Sequence, residues 1–462
     1  MSTGQAQRLG VLAQYALLAG PLLSMLDSSI MNVAVEPIAR EMATPLSTVQ
    51  WTVSGYMLAL GTGLALTSYL ARRFGTVRVY ATGVLAFTIA SALCMIAPGI
   101  EFLIGARLLQ GLTGATLVPL AMSMLMGGDG AAKRVSPIAG ILLFLGPALG
   151  PSLGGVLIDA FGWRSIFAIN IPVGILAILT ARRIPSGIAP AADRRVRLDI
   201  LSFGLLTSGL LGVLYGLNQG EDIGWSDISA WLPLSVGAVL LAGYVFQSRH
   251  SDHPAVDLSI LRDRAASFSF LLCAIASVAA WSIVFLLPVF LQAAQGHTAL
   301  QTGLALLPQG ILTGLGTVLG QKVADRIGIR WTVVGGFLVL VAASLGLFAI
   351  NLDTSLTVTA AVLAARAASI GLVITPLLTV VNLPLRPDQT ADANTTFNIC
   401  QRIAGSFGIG LIANLFTSHA ATAGPVAALH LIAATITVLA AAATGIAFLL
   451  PKKSNSLPAV GE

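Results

Sequence analysis

Fourteen runs of about 20 predominantly apolar residues succeed one another with short polar breaks, and this pattern decides most of what the chain can be. They cover roughly 11–35, 46–71, 77–97, 100–126, 135–160, 164–182, 198–218, 229–247, 267–293, 300–321, 331–350, 356–384, 389–418 and 425–450. Wound as helices, such runs match the hydrocarbon thickness of a bilayer. Charged residues make up 10% of the 462-residue chain and apolar residues 56%. Soluble domains carry about 25% charge, so water cannot be the solvent for most of this chain, and the same apolar content excludes disorder. The expected fold class is all-α and polytopic. The first run follows a ten-residue polar start and is too long for a signal h-region, so no cleavable leader is expected. Cys94, Cys273 and Cys400 and the five histidines are scattered without ligand spacing, so no metal site is expected.

The charges orient the runs. With fourteen crossings both termini share one side. Of the 25 Lys and Arg residues, twenty then fall on that side and two, Arg40 and Arg164, on the other. Three lie within runs: Arg107, Arg366 and Arg402. That bias follows the positive-inside rule, so both termini are expected in the cytoplasm. The net charge of +6 then reflects an anionic inner leaflet, and no nucleic-acid partner is expected.

A Pro- and Arg-containing stretch at 183–197 and a second polar joint at 248–266 divide the chain into six, two and six spans. The predicted organisation is a bundle at 1–182, a linker with two inserted spans at 183–266, and a bundle at 267–462. An internal repeat supports it: Ala71-Arg72-Arg73-Phe74-Gly75 resembles Ala324-Asp325-Arg326-Ile327-Gly328, each between the second and third spans of its half. Arg107 and Arg366 each fall on the fourth span of a half. Repeated halves around a central site are a transporter pattern.

One carboxylate lies well inside a run, Asp27 on span one. Intramembrane charge is costly and by default functional. Helical rise puts Asp27 about 12 Å and Arg107 about 10 Å below the outer surface, so the two can pair directly or through water. The functional expectation is proton coupling; the alternative is a static ion pair. Span five carries Gly146-Pro147, then Gly150-Pro151, then Gly154-Gly155, a pattern for a bent, close-packed helix that is either a plain packing kink or a hinge sealing two helices in one state of a transport cycle. On span thirteen, Asn394, Asn398 and Arg402 recur every four residues and share one face, which either lines a cavity or joins helices. Trp51, Phe144, Trp281 and Phe285 are candidates for an aromatic wall, and Asn32 and Gln110 for polar cavity contacts.

These residues resemble the fourteen-helix drug:proton antiporters of the major facilitator superfamily, from span one to span thirteen. Leu26-Asp27-Ser28-Ser29-Ile30-Met31-Asn32-Val33-Ala34 is similar to the span-one motif, and Gln50-Trp51 with Tyr56 to the opening of span two. Arg107, Gln110, Gly111 and Gly114 resemble the span-four motif, and Gly150 to Gly155 the antiporter motif of span five. Trp163-Arg164, Phe167, Asn170 and Pro172 resemble the turn into span six. Gln292, Gly296, Gly303 and Pro308, and then Asn398, Arg402, Gly405 and Gly408, resemble later segments. The resemblance implies two six-helix bundles plus two inserted helices, with Asp27 and Arg107 in proton coupling. It also implies a cytoplasmic gating loop of Arg72, Arg73 and Gly75 with a second copy at Asp325, Arg326 and Gly328. The chain departs from the family where Ser68 replaces the loop's opening Gly, Arg72 its Asp, and Gln321 the Gly of the second copy. Glu36 stands where span one ends in Pro, with Pro37 following, and span ten lacks the carboxylate some exporters of dications carry.

The functional expectation is a proton-coupled exporter of small amphiphilic organic compounds that works by alternating access in a bacterial inner membrane. Its expected partners are the substrate, protons and lipid, and a monomer is expected. The alternative keeps the fold but takes an anionic metabolite or lipid, because three arginines against one acid lie within the runs. A membrane enzyme would need a convergent nucleophile, base or metal cluster, and the sequence offers none. No Gly-x-x-x-x-Gly-Lys-Ser/Thr motif occurs, so neither nucleotide nor other cofactor is expected.

Overall fold

A computed structural model of the chain describes residues 11–126, 137–181, 184, 199–222, 227–248, 250, 258–383 and 390–451. Among them there is no strand; the elements are helices. They are α1 (Val11–Glu41), α2 (Leu46–Val49), α3 (Trp51–Phe74), α4 (Thr76–Met95), α5 (Ile100–Gly114), α6 (Leu117–Met126), α7 (Pro137–Phe161), α8 (Ser165–Ala168) and α9 (Asn170–Ala181). Then follow α10 (Ile200–Asp222), α11 (Ile228–Ser248), α12 (Arg264–Val289), α13 (Ala299–Ile327), α14 (Ile329–Leu345), α15 (Leu356–Asn382), α16 (Thr390–Ala423) and α17 (Pro425–Ala447). Within a bilayer every backbone N–H and C=O must bond inside its own segment, which leaves the helix as the solution for apolar runs of this length. Eleven of the helical stretches are long and apolar enough to cross a membrane. The helices at 51–74, 137–161 and 165–181 occupy the places of expected spans two, five and six. Expected span four is broken at Ala115–Thr116 into α5 and α6, and expected span six into α8 and α9.

Helices α1 to α9 pack mainly on one another, and α12 to α17 form a second group. The groups meet along α7 against α13, α3 against α16, and α1 against α12. Helices α10 and α11 form a hairpin whose α10 side rests on α3 and α16, beside the seam. Only 17% of the apolar window of α11 is buried, so its surface is left to lipid.

The two copies of the short sequence repeat adopt the same backbone. Gly75 closes α3 with φ 91° and its N–H bonds the Ala71 carbonyl at 2.9 Å; Gly328 closes α13 with φ 91° and bonds the Ala324 carbonyl at 2.9 Å. Each then accepts the first bond of the next helix, from Val79 and Thr332 respectively. A Cβ is disfavoured at this positive φ, which is why glycine ends both repeats. Gly328→Ala is therefore expected to destabilise the protein by about 1–3 kcal/mol. A thermal melt in detergent checks it, with Gly335→Ala as control, since nothing lies within 4 Å of a Cβ at Gly335.

Candidate functional site: a buried ion-pair network beside a central cavity

Asp27, on α1, is buried at 3% exposure, and Arg107, on α5, at 1%. They pair directly: Arg107 Nη1 donates to Asp27 Oδ2 at 2.6 Å. Gln110, one turn further along α5, donates from Nε2 to Asp27 Oδ1 at 2.8 Å. Asn170, at the start of α9, donates to the same oxygen at 2.9 Å. Ser91 of α4 accepts from both amides, at 2.8 Å and 3.3 Å. Arg107 also donates from Nε to the Thr52 carbonyl at 2.9 Å and from Nη1 to Gln110 Oε1 at 2.6 Å. Its guanidinium carbon sits 4.0 Å from the centre of the Tyr56 ring. Helices α5 and α9 thus meet on the carboxylate carried by α1, and α3 and α4 hold its partners.

The carboxylate accepts three hydrogen bonds, two on Oδ1 and one on Oδ2, out of about four acceptor positions.

The central cavity is a separate space of about 420 Å³ between the two groups of helices, a size suited to small organic ligands. Met25, Ser28, Ser29 and Asn32 of α1 line it from one side; Trp281 of α12, Gln309 and Thr313 of α13, Arg366 of α15, and Gln401 and Arg402 of α16 line it from the other. Asp27 does not line it. One helix, α1, therefore shows the ion pair on one face and the cavity on another. Asn32 Oδ1 is buried there without a hydrogen-bond partner.

The proposed cavity residues are distributed unevenly. Asn32, Trp281 and Arg402 line the cavity. Gln110 belongs to the Asp27 network instead. Trp51 faces the inserted hairpin, its ring 6.4 Å from that of Tyr215. Phe285 is fully buried one turn beyond Trp281 and off the cavity wall. Asn394 accepts from Asn382 Nδ2 at 2.8 Å, joining α16 to α15, and Asn398 donates to the Asn394 carbonyl at 2.9 Å. The polar stripe on α16 therefore enters the cavity only at its Arg402 end. The side chains of Phe144 and Pro147, and Gly146, lie outside the described residues, although the backbone of α7 is one helix through them.

The rest of the Gly-Pro segment lies in a seam. A Cβ on Gly150 would fall 1.8 Å from Ser29 Oγ, and one on Gly154 would fall 2.8 Å from Ile30 Cγ2, both on α1. Gly155 and Pro151 face α13 instead: a Cβ on Gly155 would fall 2.5 Å from the Ala299 carbonyl oxygen. Ser152 Oγ donates to the Gly303 carbonyl at 2.9 Å, and the Leu300 N–H donates to Asp159 Oδ2 at 3.2 Å. Gln292 to the Val33 carbonyl at 3.1 Å and Ser406 to the Ser54 carbonyl at 2.7 Å complete the hydrogen bonds that join the two groups among the described residues. All four sit toward the face on which α1 ends at Glu41, not the face that carries Arg73. On the Arg73 face, Arg72 and Arg326 are exposed, and Asp325 accepts from Gln321 of its own helix at 3.1 Å.

Arg366 and Gln309, both cavity-lining, and the Asn170, Ser91 and Thr52 partners of the ion pair were not among the candidate site residues. For Asn170, Gln309 and Arg366 the signal was present as a lone polar group within an apolar run. Ser91 and Thr52 gave none, since hydroxyls in membrane helices ordinarily bond their own backbone.

The sequence profile of the Major Facilitator Superfamily matches residues 17–409. A Mycobacterium tuberculosis protein called "Multidrug resistance protein B homolog" is 32% identical over 403 residues, 86% of this chain and 74% of the relative. The Escherichia coli K12 "Multidrug export protein EmrB" is 28% identical over 414 residues, 88% of this chain and 80% of the relative. In fold, the chain superimposes on the crystal structure of a D-xylose-proton symporter with a TM-score of 0.68 at 14% identity, covering 96% of this chain and 99% of that one.

Proposed function

The chain belongs to the Major Facilitator Superfamily, and on that premise we propose that this multi-pass membrane transporter is a proton-coupled exporter of small amphiphilic organic compounds. The single observation that carries the reading is the placement of Asp27 and the cavity on opposite faces of α1. Substrate in the cavity touches Met25, Ser28, Ser29 and Asn32; a proton on Asp27 acts on the same helix from behind. The names of the relatives, a multidrug resistance protein homolog and a multidrug export protein, support efflux as the direction.

In this reading the chain crosses the bilayer fourteen times, as two bundles at 1–182 and 267–462 with two helices inserted between them. It is a fourteen-helix drug:proton antiporter of a bacterial inner membrane, working as a monomer. The basic Arg73 face is cytoplasmic, following the charge bias, and both termini lie there. The four inter-group hydrogen bonds then close the outer side, which makes the conformation inward-facing. Substrate enters from the cytoplasm or inner leaflet. After reorientation, a proton from outside moves onto Asp27 Oδ2, weakens its hold on Arg107 and favours release of substrate. Return to the inward-facing state lets Arg107 displace the proton to the cytoplasm. The Gly146–Gly155 segment acts as the hinge and seam. Arg72, Arg73, Gly75, Asp325, Arg326 and Gly328 form the cytoplasmic gate, which closes when the outer seam opens.

The test uses purified protein in liposomes loaded with a pH dye, under an imposed pH gradient. Amphiphilic compounds are added one at a time and proton movement is recorded. Substrate-dependent proton flux that requires the protein is the expected result. Transport of a compound with no accompanying proton movement would overturn the coupling and leave a uniporter.

A further inference from the structure

We propose that the central cavity is an organic-anion site, in which Arg366 and Arg402 hold the acidic head of an amphiphilic organic acid while its body rests on the apolar wall. Both arginines line the cavity, and among the described residues no carboxylate does. The only ion pairs among the described residues are Arg107–Asp27 and Arg164–Glu41, neither of which involves them. The shortage is built into the sequence: residues 264–324, 326–352 and 393–451 contain no Asp or Glu. No change of rotamer within those stretches can supply a counter-charge.

The two guanidinium groups differ in how they are held. Arg366, 4% exposed, is positioned from behind by the Ala279 carbonyl at 3.0 Å and Ser344 Oγ at 3.3 Å. A guanidinium has five N–H donors, and the others of Arg366 have no partner among the described residues. Arg402 makes no hydrogen bond to a described residue and lies 5.5 Å from the centre of the Trp281 ring. Holding two unpaired cations within a membrane protein is costly unless an anion completes the site. An arginine fork matches a carboxylate, sulfonate or phosphate ester oxygen pair. Met25, Val284, Leu306, Leu363, Ile370 and Ile374 supply the apolar wall. A lipophilic cation would meet two like charges, and the ring of Trp281 is already covered by Arg402.

The inference refines the exporter reading by naming the substrate's charge, and its binding arm stands apart from transport. Calorimetric titration of the purified protein would use three probes with one aromatic body: 1-naphthoate, 1-naphthamide and 1-naphthylmethyltrimethylammonium. Naphthoate is expected to bind at least tenfold more tightly than the other two. Arg402→Gln, which removes no hydrogen bond from the fold, is expected to weaken naphthoate about 10- to 100-fold and leave the amide unaffected. Arg366→Lys, which retains the charge but not the fork, should lose less. Tighter binding of the ammonium, no binding of naphthoate, or naphthoate affinity indifferent to Arg402→Gln would overturn the site.

The transport arm separates the two claims. Exchange of one organic anion outward for one proton inward moves two positive charges inward, whereas a monovalent cation exchanged for a proton moves none. An imposed membrane potential should therefore drive acid export but not cation export. Naphthoate binding without proton flux would defeat the exporter reading and leave the anion site standing. Proton flux with the ammonium and not with naphthoate would do the reverse.

Discussion

Asp27→Asn is expected to abolish substrate-dependent proton flux, reducing it to the level of protein-free liposomes, while Asp27→Glu retains a measurable fraction. Asparagine can still accept from Gln110 and Asn170 through one oxygen, but it offers no site for a proton and no charge for Arg107. The variant leaves Arg107 bonded to Gln110 Oε1 and the Thr52 carbonyl alone. Breaking a buried pair from one side costs about 3–5 kcal/mol in soluble proteins, so folding must be checked by a thermal melt and by size-exclusion chromatography. The glutamate variant is the positive control. It keeps the charge and the proton site on a longer arm, so a purely structural ion pair would survive in it and so would transport. In the asparagine variant, a structural role predicts a lowered melting temperature with coupled flux per folded molecule intact. Coupled, uphill transport at the wild-type rate in Asp27→Asn would remove the proton site from Asp27.

The second large effect concerns the seam at the Glu41 face. A Cβ on Gly303 would fall 2.2 Å from the Pro151 carbonyl oxygen, and one on Gly155 would fall 2.6 Å from Leu300 Cα. Both encounters are with backbone, which cannot rotate away. Gly303→Val is expected to destabilise the closed seam by about 1–3 kcal/mol, a shift of about 5- to 150-fold in the equilibrium between closed and open states of the Glu41 face. Spin labels at Phe161 and Ala293 would report it as a population at longer distance, and turnover should fall because the protein no longer returns readily to the closed state. Gly105, where a Cβ has nothing within 4 Å, serves as control. An unchanged distance distribution in Gly303→Val would mean that the seam gives elsewhere and that close approach of α7 to α13 is not what holds the Glu41 face shut.

Much of this was legible in the sequence because lipid imposes a narrow grammar. Apolar length placed the helices, since a continuous apolar run of about 20 residues in hydrocarbon satisfies its backbone as a helix, whereas the strands of a closed barrel are shorter and alternate. Their ends were less legible. Helix α1 continues six residues past its expected end, to Glu41, because a helix does not stop where apolar composition stops. The repeat around Gly75 and Gly328 was readable because a positive φ selects glycine and leaves a mark in the letters. Asp27 and Arg107 were readable for the opposite reason: charge is so disfavoured at that depth that its presence is informative.

What the sequence could not determine was which way each polar group turns. Asp27 and Ser28 are neighbours in the chain, yet one is sealed against α5 and α9 and the other faces the cavity. A helix turns about 100° per residue, and only the packing of its neighbours decides which sector is cavity and which is core. The same holds on α7, where Gly154 faces α1 and Gly155 faces α13, and on α16, where Asn394 joins helices and Arg402 lines the cavity. Arg366 was a buried cation by sequence alone, and it became a cavity residue only when α12 and α15 were set side by side. The sequence by itself determined that this chain lives in a bilayer, with one acid and three arginines well inside its apolar runs. Tertiary structure decided that the acid pairs with one arginine inside the first group and leaves the other two facing the cavity, because pairing depends on the distance between helices far apart in the chain.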